Sequence, residues 1–540
     1  MKHKGITDVS TAARGAGSSG HSRSQVVPCL TVASHPMPRR AGERLLLHAL
    51  ATGRPVELSR NAPELVRPGS SLGAPLVDPF ISRKPIRITA GPQGSIEIDP
   101  GEGTTVAVQG EPIRRAVRLS AEEIASGVAI ELGARVTLCL HLAVVGDPAP
   151  DPLGMVGESS ALDEVRRSIQ HVVDLDVPVL IRGETGTGKE LVARAIHERS
   201  PRKDGPFVAV NLGAIPRDLA AAELFGAQRG AYTGATRERE GFFRAADGGT
   251  LFLDEVGEAS ADVQVLLLRV LETGKLYPVG GSTPVAVDVR VLAATDSDLE
   301  ARIQQGVFKA PLLHRLAGFD IRLAPLRERR EDIGRLFHHF ALAELSKLGE
   351  EHRLTPDDPY VEPWLPSPLA SRLLRYAWPG NIRQLRNVTR QLVIGSRGKP
   401  CLQVDLPVVR EIDQALEAPR QPSLSIARAP QAESAQADSH PMEATARRRK
   451  STDLTEEELL TALRASGWDV KAAAARLGVA RSSVYDLIDR CQSLRTAGDL
   501  SADEITACFR ECDGDLDRMV QRLEVSRRAL NRRVKELGLA

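Results

Sequence analysis

The sequence predicts a multidomain protein with an N-terminal β-sandwich, a central α/β domain with a helical lid, and an all-α C-terminal region made of two tandem helix-turn-helix copies. A chain of 540 residues is longer than a single hydrophobic core supports. The apolar pattern changes from short alternating runs to strands that alternate with helical stretches, and then to helices alone. The C-terminal end repeats itself without a gap, which indicates a duplicated structural unit.

The overall composition excludes several classes of protein. Lys and Arg total 71 against 70 for Asp and Glu, so any nucleic-acid surface has to be local. The six cysteines show no metal-ligand spacing with histidine, which predicts reduced thiols in a cytoplasmic protein. The longest apolar runs are too short to span a membrane. Residues 1–27 are polar and rich in Gly and Ser, and they predict a disordered leader rather than a signal peptide.

The predicted domains follow one another along the chain. Residues 28–147 hold short alternating runs such as PIRIT and TTVAVQG, typical of an all-β domain. In residues 150–323, apolar strands such as VPVLIRG and GTLFLDEV alternate with helical stretches, which predicts a parallel sheet. Residues 324–400 predict a helical lid, and the Pro-, Ala- and Ser-rich residues 401–452 predict a linker.

A phosphate-binding loop, or P-loop, follows the strand VPVLIRG and opens the helix ELVARAIHE. Its glycines let backbone N–H groups point at phosphate oxygens, and its lysine supplies a mobile cation. One glutamate stands where many such loops place a Ser or Thr hydroxyl on Mg²⁺. The predicted nucleotide-binding residues are Gly183, Glu184, Thr185, Gly186, Thr187, Gly188, Lys189 and Glu190.

Two adjacent carboxylates end the apolar strand GGTLFLDE. Asp254 is the predicted ligand of a hydrated Mg²⁺, and Glu255 is the predicted group that polarises the attacking water. Paired acids at a strand end also occur as solvated loop charges. The P-loop earlier in the chain favours the catalytic interpretation.

Five motifs, GETGTGKE, ELFGAQRGAYTGA, GTLFLDEVGE, PLRERREDI and YAWPGNIRQLRN, carry a family resemblance. Together they resemble the AAA+ domain of bacterial enhancer-binding proteins, the ATPases that activate the sigma-54 form of RNA polymerase. The resemblance covers residues 155–393 in the family's order. It implies ATP and Mg²⁺ as cofactors and a homo-hexameric ring, with a dimer as the inactive state.

The resemblance also implies individual roles. Asn211 matches the asparagine that restrains the catalytic glutamate, and Asp296 stands at the sensor position, where the family usually has Asn. Arg315 matches an arginine that reaches the neighbouring subunit's nucleotide, and Lys309 replaces a second one, although lysine cannot form a bidentate fork. Arg383 matches the lid arginine that senses the γ-phosphate.

The hexapeptide GAYTGA tips a surface loop in the family that the chain resembles, and this loop contacts sigma-54 and moves with hydrolysis. Glycines allow a tight loop, and a tyrosine offers a large, rigid contact at low entropic cost. A tyrosine that packs back on its own domain is the alternative. The predicted sigma-54 contacts are Gly230, Ala231, Tyr232, Thr233, Gly234 and Ala235.

The two C-terminal units, residues 453–492 and 499–540, each predict a helix-turn-helix, and the first resembles the Fis-type module of enhancer-binding proteins. The reading helix of the first unit and the basic last helix of the second predict contacts with upstream double-stranded DNA. An interaction bundle with a solvated basic face is the alternative. The predicted DNA-binding residues are Arg481, Ser482, Ser483, Tyr485, Arg527, Arg528 and Arg532.

The N-terminal domain resembles a forkhead-associated β-sandwich, a reader of phosphothreonine in partner proteins. Ser82 and Arg83 match its phosphate-contacting pair. Pro85 and Gln109 depart from the family pattern, so a fold that senses protein contacts without binding phosphate is the alternative.

These patterns together predict a cytoplasmic, sigma-54-dependent transcription activator that is a DNA-bound AAA+ ATPase. Two other functions stay open at the level of sequence. One is a DNA-binding regulator or scaffold with weak ATPase activity, suggested by Asp296 and Lys309. The other is a general protein-remodelling ATPase, which the paired helix-turn-helix units disfavour.

Overall fold

A computed structural model describes most of the chain in two compact units, Met1–Ser423 and Leu424–Ala540. In the first unit, the described residues are 25–146, 150–231, 238–356, 358 and 360–417. In the second unit, they are 456–466, 468, 473, 476–477, 500–512, 515–523, 525, 530, 533–534 and 537. No helix within these ranges is long and apolar enough to cross a membrane.

The N-terminal region is β-rich, as predicted, and its first strand begins at residue 25. Its one α-helix is α1 (Ala121–Ser126), capped by a Ser120–Glu123 capping box. Its strands are β1 (Gln25–Ser34), β2 (Arg44–Leu46), β3 (Val56–Leu58), β4 (Leu65–Val66), β5 (Gly73–Ala74), β6 (Ile86–Ala90), β7 (Ile96–Asp99), β8 (Val106–Val108), β9 (Glu111–Ile113), β10 (Val117–Leu119), β11 (Val128–Leu132) and β12 (Val136–Val145).

These strands form two antiparallel sheets around one apolar core. The larger sheet has the order β5-β4-β2-β1-β12-β11-β8-β9, and the smaller one has the order β10-β7-β6-β3. In β11, Val128, Ile130 and Leu132 belong to the core between the sheets. Ala129, on the opposite face of the same strand, packs into the core of the lid. β11 is therefore buried on both faces, which explains its nearly continuous apolar sequence.

The central subdomain is α/β with a parallel sheet, as predicted. The parallel sheet has five strands in the order β14-β15-β18-β13-β19, and apolar clusters cover both of its faces. Its strands are β13 (Val179–Arg182), β14 (Phe207–Asn211), β15 (Thr250–Asp254), β18 (Arg290–Thr295) and β19 (Phe319–Arg322), with a separate pair β16 (Lys275–Leu276) and β17 (Val285–Ala286). Its helices are α2 (Ser160–Val172), α3 (Lys189–Arg199), α4 (Arg217–Phe225), α5 (Phe242–Ala245), α6 (Ala261–Thr273), α7 (Leu299–Gln304) and α8 (Ala310–Leu316).

The lid consists of the helices α9 (Ile333–Leu348), α10 (Ser367–Arg375), α11 (Asn381–Gly395) and α12 (Pro407–Glu417). The last of these helices corrects the predicted boundary between lid and linker at residue 401. Val408, Val409 and Ile412 of α12 are buried in the lid core, because their spacing places them on one face of the helix. The linker prediction is therefore wrong over α12, and residues 418–452 lie outside the described part.

The lid also packs against the outer face of the larger N-terminal sheet. Ala33 and Cys139 of that sheet are members of the lid core. The Ser34 hydroxyl donates to the Leu365 carbonyl at 2.8 Å, and the Thr137 and Ser367 hydroxyls lie 2.7 Å apart. The β-rich region and the lid therefore share a buried interface.

The described part of the second unit contains α13 (Glu456–Ala465), α14 (Ala502–Glu511) and α15 (Leu516–Leu523). A capping box between Ser501 and Glu504 starts α14. Leu463, Trp468, Ile505 and Met519 and their neighbours form one apolar cluster that joins both predicted repeats. The predicted reading helix of the first repeat, residues 480–489, lies outside the described residues, and of the last helix of the second repeat only residues 530 and 533–534 are described.

Candidate functional site

The P-loop connects β13 to α3 at the carboxyl edge of the parallel sheet. Gly186 and Gly188 have φ values of +81° and +105°, which a residue with a side chain rarely adopts. The Lys189 ammonium donates to the Gly183 carbonyl at 2.8 Å and to the Glu184 carbonyl at 3.3 Å. Burial lowers the pKa of Lys189, and the negative charges of nearby carboxylates oppose that shift. The Lys189 ammonium therefore lies inside the glycine-rich loop at the carboxyl edge of the sheet.

The predicted acids meet this loop because parallel strands end at a common edge. Asp254 ends β15, and its carboxylate accepts a hydrogen bond from the Glu255 backbone N–H at 3.0 Å. Asp296 follows β18 and accepts a 2.6 Å hydrogen bond from the Thr185 hydroxyl. That hydrogen bond lowers the pKa of Asp296 and keeps its carboxylate ionised at the loop.

Glu255 adopts a left-handed backbone conformation with φ of +56°, which is uncommon for a residue with a side chain. A Cβ atom added to Gly213 would lie 2.1 Å from Glu255 Oε2 and 3.3 Å from Asn211 Oδ1. The Glu255 carboxylate therefore lies over a glycine beside Asn211. The partner strands β14 and β15 pair Asn211 with Asp254, so the predicted asparagine and glutamate are neighbours.

The lid contacts the P-loop through an ionic and hydrogen-bonded group that the sequence did not indicate. Arg327 precedes α9, and its guanidinium forms two hydrogen bonds with the Glu184 carboxylate, at 2.8 and 2.6 Å. The Asn381 amide donates to the Glu184 carboxylate and to the Thr185 carbonyl, each at 3.1 Å. The hydrogen bonds from Arg327 lower the pKa of Glu184. We call Glu184, Arg327 and Asn381 the lid latch.

Backbone contacts complete the connection between lid and P-loop. The Gly186 carbonyl accepts hydrogen bonds from the backbone N–H groups of Ile382 at 3.0 Å and Arg383 at 3.3 Å. A Cβ atom at Gly186 would lie 2.4 Å from the Gly380 carbonyl oxygen, so only glycine permits this approach. Arg383 lies in the first turn of the lid helix α11, with an exposed side chain and its backbone bonded to the P-loop.

The structure places Arg315 away from its own P-loop. Arg315 is on α8, and its Nε donates to the Leu271 carbonyl at 3.0 Å. It lines a separate groove of about 490 Å³ with Asp288, Arg290 and other residues. Lys309 caps the start of α8, and its backbone N–H donates to the Gln264 side chain at 2.9 Å.

The donor set at the carboxyl edge fits a hydrated Mg²⁺ ion. Mg²⁺ in nucleotide sites usually binds through one or two carboxylates, water and substrate phosphates rather than through an all-protein cage. No cluster of three metal-ligating side chains occurs in the described part of the chain. Asp254 at the strand end would supply a carboxylate ligand of the kind that this mode needs. Glu190, which replaces the usual hydroxyl, pairs with Arg194 at 2.8 Å on the exposed side of α3.

The predicted phosphopeptide pair lies in a turn between β5 and β6. The Ser82 hydroxyl accepts the Lys84 backbone N–H at 3.0 Å, and the Ser82 backbone N–H donates to the Thr104 hydroxyl at 2.9 Å. Arg83 is exposed. The serine is fixed by the turn, and the arginine beside it is accessible to solvent.

Several predicted contacts lie outside the described residues. Gly230, with φ of +83°, and Ala231 are described at the base of the GAYTGA loop, where the Ala231 backbone N–H donates to the Gln228 carbonyl at 3.1 Å. The residues outside the described ranges are Tyr232, Thr233, Gly234, Ala235, Arg481, Ser482, Ser483, Tyr485, Arg527, Arg528 and Arg532.

Comparison with known proteins gives two domain matches. Residues 155–322 match the sigma-54 interaction domain, and residues 327–421 match the AAA+ ATPase lid domain. The second match includes α12, in agreement with its packing on the lid.

Similar proteins cover the same region. The chain is 50% identical over 263 residues to the DNA-binding transcriptional regulator NtrC of Salmonella typhimurium, covering 49% of this chain and 53% of that protein. It is also 50% identical over 253 residues to NtrC of Escherichia coli K12, covering 47% and 52% of the two chains. The chain thus spans about half the length of these curated relatives.

A crystal structure of NtrX from Brucella abortus in complex with ATP is 28% identical and covers 71% of this chain and 69% of that chain. Its TM-score of 0.42 is too low to support a structural argument. The two domain matches and the geometry of the P-loop lead to one conclusion: this chain contains a sigma-54 interaction domain followed by an AAA+ ATPase lid domain.

Proposed function

We propose that this protein hydrolyses ATP to remodel sigma-54 RNA polymerase into the open complex. The observation that carries the proposal is the meeting of Lys189, Asp254 and Glu255 at one sheet edge, with the lid fastened to the same loop by Glu184 and Arg327. Lys189 supports the β- and γ-phosphates, Asp254 holds the hydrated Mg²⁺, and Glu255 polarises water.

Asn211 and Gly213 set the position of the glutamate. The Glu255 carboxylate occupies the space above Gly213, next to the Asn211 amide oxygen, and Asn211 in turn accepts the Ala214 backbone N–H at 3.1 Å. Asn211 is therefore held by its own turn, and we assign to its amide NH2 group the restraint of Glu255 until sigma-54 engages. Release of Glu255 toward the nucleotide would then couple partner contact to hydrolysis.

The last positive charge at the proposed nucleotide site comes from Arg315 of a neighbouring subunit. Arg315 bonds to Leu271 rather than to its own P-loop, so in a ring it faces outward from the nucleotide site of its subunit. A neighbouring subunit's γ-phosphate is the anion that we assign to it, as with arginines supplied in trans elsewhere. A homo-hexamer closes such head-to-tail contacts into a ring.

Changes at the nucleotide are carried to sigma-54 by the GAYTGA loop. Its base is tied to the ATPase subdomain by backbone bonds between Ala227 and Arg239 and from Gln228 to Val279, so movement of the subdomain moves the loop. The tyrosine at its tip, Tyr232, is the proposed contact with sigma-54, together with Thr233.

The flanking regions have proposed roles in targeting and control. The C-terminal unit binds upstream double-stranded DNA through Arg481, Ser483 and the basic residues of the second repeat. The N-terminal region reads a phosphothreonine partner through Ser82 and Arg83. Exposure of Arg83 beside a fixed serine supports an anion contact.

An ATP-dependent open-complex assay on a sigma-54 promoter tests the proposal. Wild-type protein should open the promoter only with hydrolysable ATP. Glu255→Gln should retain ATP and lose turnover by about 100-fold or more, since it removes the group that polarises water. Glu164→Gln, a substitution of an exposed glutamate on α2, serves as the control. ATP turnover without promoter opening would instead favour a remodelling ATPase with another partner. DNA binding without turnover would favour the regulator or scaffold.

A further inference from the structure

The interface between the N-terminal β-rich region and the lid encloses a cavity of about 390 Å³. Its walls come from both domains, with Gly110 and Glu131 on the β-rich side and Ser371, Arg372 and Arg375 on the lid helix α10. Pockets of this size at domain interfaces, with a few convergent polar groups, are typical of small-ligand sites.

Two polar side chains of this cavity, Glu131 and Ser371, make no hydrogen bond to the described residues. Glu131 is only 7% exposed and lies on the lid-facing side of β11, and its carboxylate oxygens are accessible from the cavity without a hydrogen bond or ion pair to the described residues. The Ser371 hydroxyl is fully buried and has no hydrogen-bond partner there either. Buried polar groups without partners are rare and costly, so the Ser371 hydroxyl indicates a missing partner, and the accessible Glu131 carboxylate is free to bind a ligand.

The charges that face the cavity have opposite signs. Arg375 lies half-buried over Gly110, and among the described residues it forms no hydrogen bond or ion pair. Arg372 is neutralised by Asp413 of α12 at 3.0 Å. One free guanidinium and one free carboxylate therefore remain, and a ligand that satisfies both carries an anionic group and an ammonium group.

We propose that this cavity is a regulatory site for a free amino acid. The ligand's carboxylate pairs with Arg375, its ammonium pairs with Glu131, and the Ser371 hydroxyl bonds to either end. Because the ligand would contact both walls, it would stabilise the docked state of the β-rich region and the lid by mass action. This site is distinct from the proposed phosphopeptide turn at Ser82 and from the P-loop, and no contact of the proposed ATPase cycle involves it.

Calorimetric titration of the full chain with each proteinogenic amino acid tests the proposal without reference to ATPase activity. At least one amino acid should bind and raise the melting temperature. Acetate and ethylamine, which each carry one of the two charges, should bind at least about tenfold more weakly. Binding of no amino acid would overturn the proposal, and so would acetate that binds as tightly as the best amino acid.

Single substitutions test which residues bind the amino acid. Arg375→Gln and Glu131→Gln should each weaken binding by about tenfold or more. Ser371→Ala removes a hydroxyl that makes no bond in the protein, so it should fold normally and weaken binding by about threefold to tenfold. Arg390→Gln, an exposed arginine on α11, is the matched control and should bind like the wild type. Unchanged binding in the first three variants would place the ligand elsewhere and contradict the assignment.

Discussion

Glu184 of the P-loop and Arg327 of the lid form a bidentate ion pair, with N–O distances of 2.8 and 2.6 Å. Glu184 belongs to the loop that receives the phosphates, and Arg327 belongs to the 3-10 turn Leu326–Glu328 that leads into the lid. Asn381 joins the pair from the start of α11 and also accepts the Leu326 backbone N–H at 2.8 Å. The lid latch therefore joins two segments of the lid, the turn before α9 and the start of α11, to the Glu184 carboxylate.

Arg327→Ala should weaken ATP binding more than it slows hydrolysis, because it frees the lid while leaving Lys189, Asp254 and Glu255 in place. We expect KM to rise by about tenfold with kcat changed less. Arg327→Lys should restore only part of the loss, since lysine cannot form the two-pronged bond. Steady-state ATPase kinetics measure both parameters.

A double-mutant cycle with Glu184→Gln shows whether the effect runs through the pair. Both side chains are partly exposed, so a coupling of about 1 kcal/mol is expected. Arg322→Ala, which removes a more exposed arginine paired with Asp320, is the control. Additive effects of the two latch substitutions would show that the ion pair does not position the lid.

Gly213→Ala should reduce turnover without preventing ATP binding. The added methyl group would lie 2.1 Å from Glu255 Oε2, so the carboxylate has to leave its place beside Asn211. We expect kcat to fall by about tenfold to 100-fold. Gly306→Ala adds a methyl group in open space and strains the backbone at φ of +73°, which Gly213→Ala does not, so unchanged kcat in this variant would show that a strained backbone alone does not lower turnover. Equal kcat in Gly213→Ala and wild type would show that the position of the Glu255 carboxylate above Gly213 plays no role in hydrolysis.

The sequence predicted the parallel sheet and the P-loop because strand patterns and glycine spacing are local features. Lys189, Asp254 and Asp296 meet because successive parallel strands end at one edge, a property that follows from the predicted topology. The lid latch escaped prediction, since Glu184 and Arg327 are far apart in sequence and their motifs, GETGTGKE and PLRERREDI, do not show that the two side chains pair. Only the folded chain brings them together.

The lid boundary and the domain interface escaped prediction for a different reason. Helix α12 precedes a Pro-rich segment, and the composition of that segment concealed the short apolar stripe of the helix. Ala129 and Cys139 are small apolar residues on strands, and nothing in their own neighbourhood shows that a lid rather than solvent covers them. Tertiary packing decided both features.

Tyr232→Ala should separate hydrolysis from activation. In sequence, Tyr232 belongs to GAYTGA and not to the P-loop motif, so ATP turnover by the protein alone should stay within about twofold of the wild type. Promoter opening should be lost, because the proposed contact is the aromatic ring. Tyr232→Phe retains the ring and should retain opening. Promoter opening by Tyr232→Ala would remove the loop from the proposed mechanism.

Glu331 should make the folded protein less stable at mildly alkaline pH. It is buried in the 3-10 turn Arg330–Asp332, with His141 of the β-rich region 3.8 Å away. Burial, together with the negative charge of Asp332, raises the pKa of Glu331 from 4.5 to about 8. A carboxyl whose pKa is higher in the folded state binds more protons when folded. Stability should therefore fall as pH rises from about 4.5 to 8, by at most about 1.4 kcal/mol per pH unit.

Glu331→Gln keeps the shape of the side chain and removes its titration. The variant should melt at a higher temperature than the wild type at pH 8, and the difference should shrink as the pH approaches 5. Glu328→Gln, at a more exposed glutamate in the adjacent turn, should follow the wild-type curve. Thermal unfolding of the three proteins across this pH range measures the effect. A constant offset between Glu331→Gln and wild type would mean that the carboxyl does not titrate in this window, because the proton linkage alone makes the difference depend on pH.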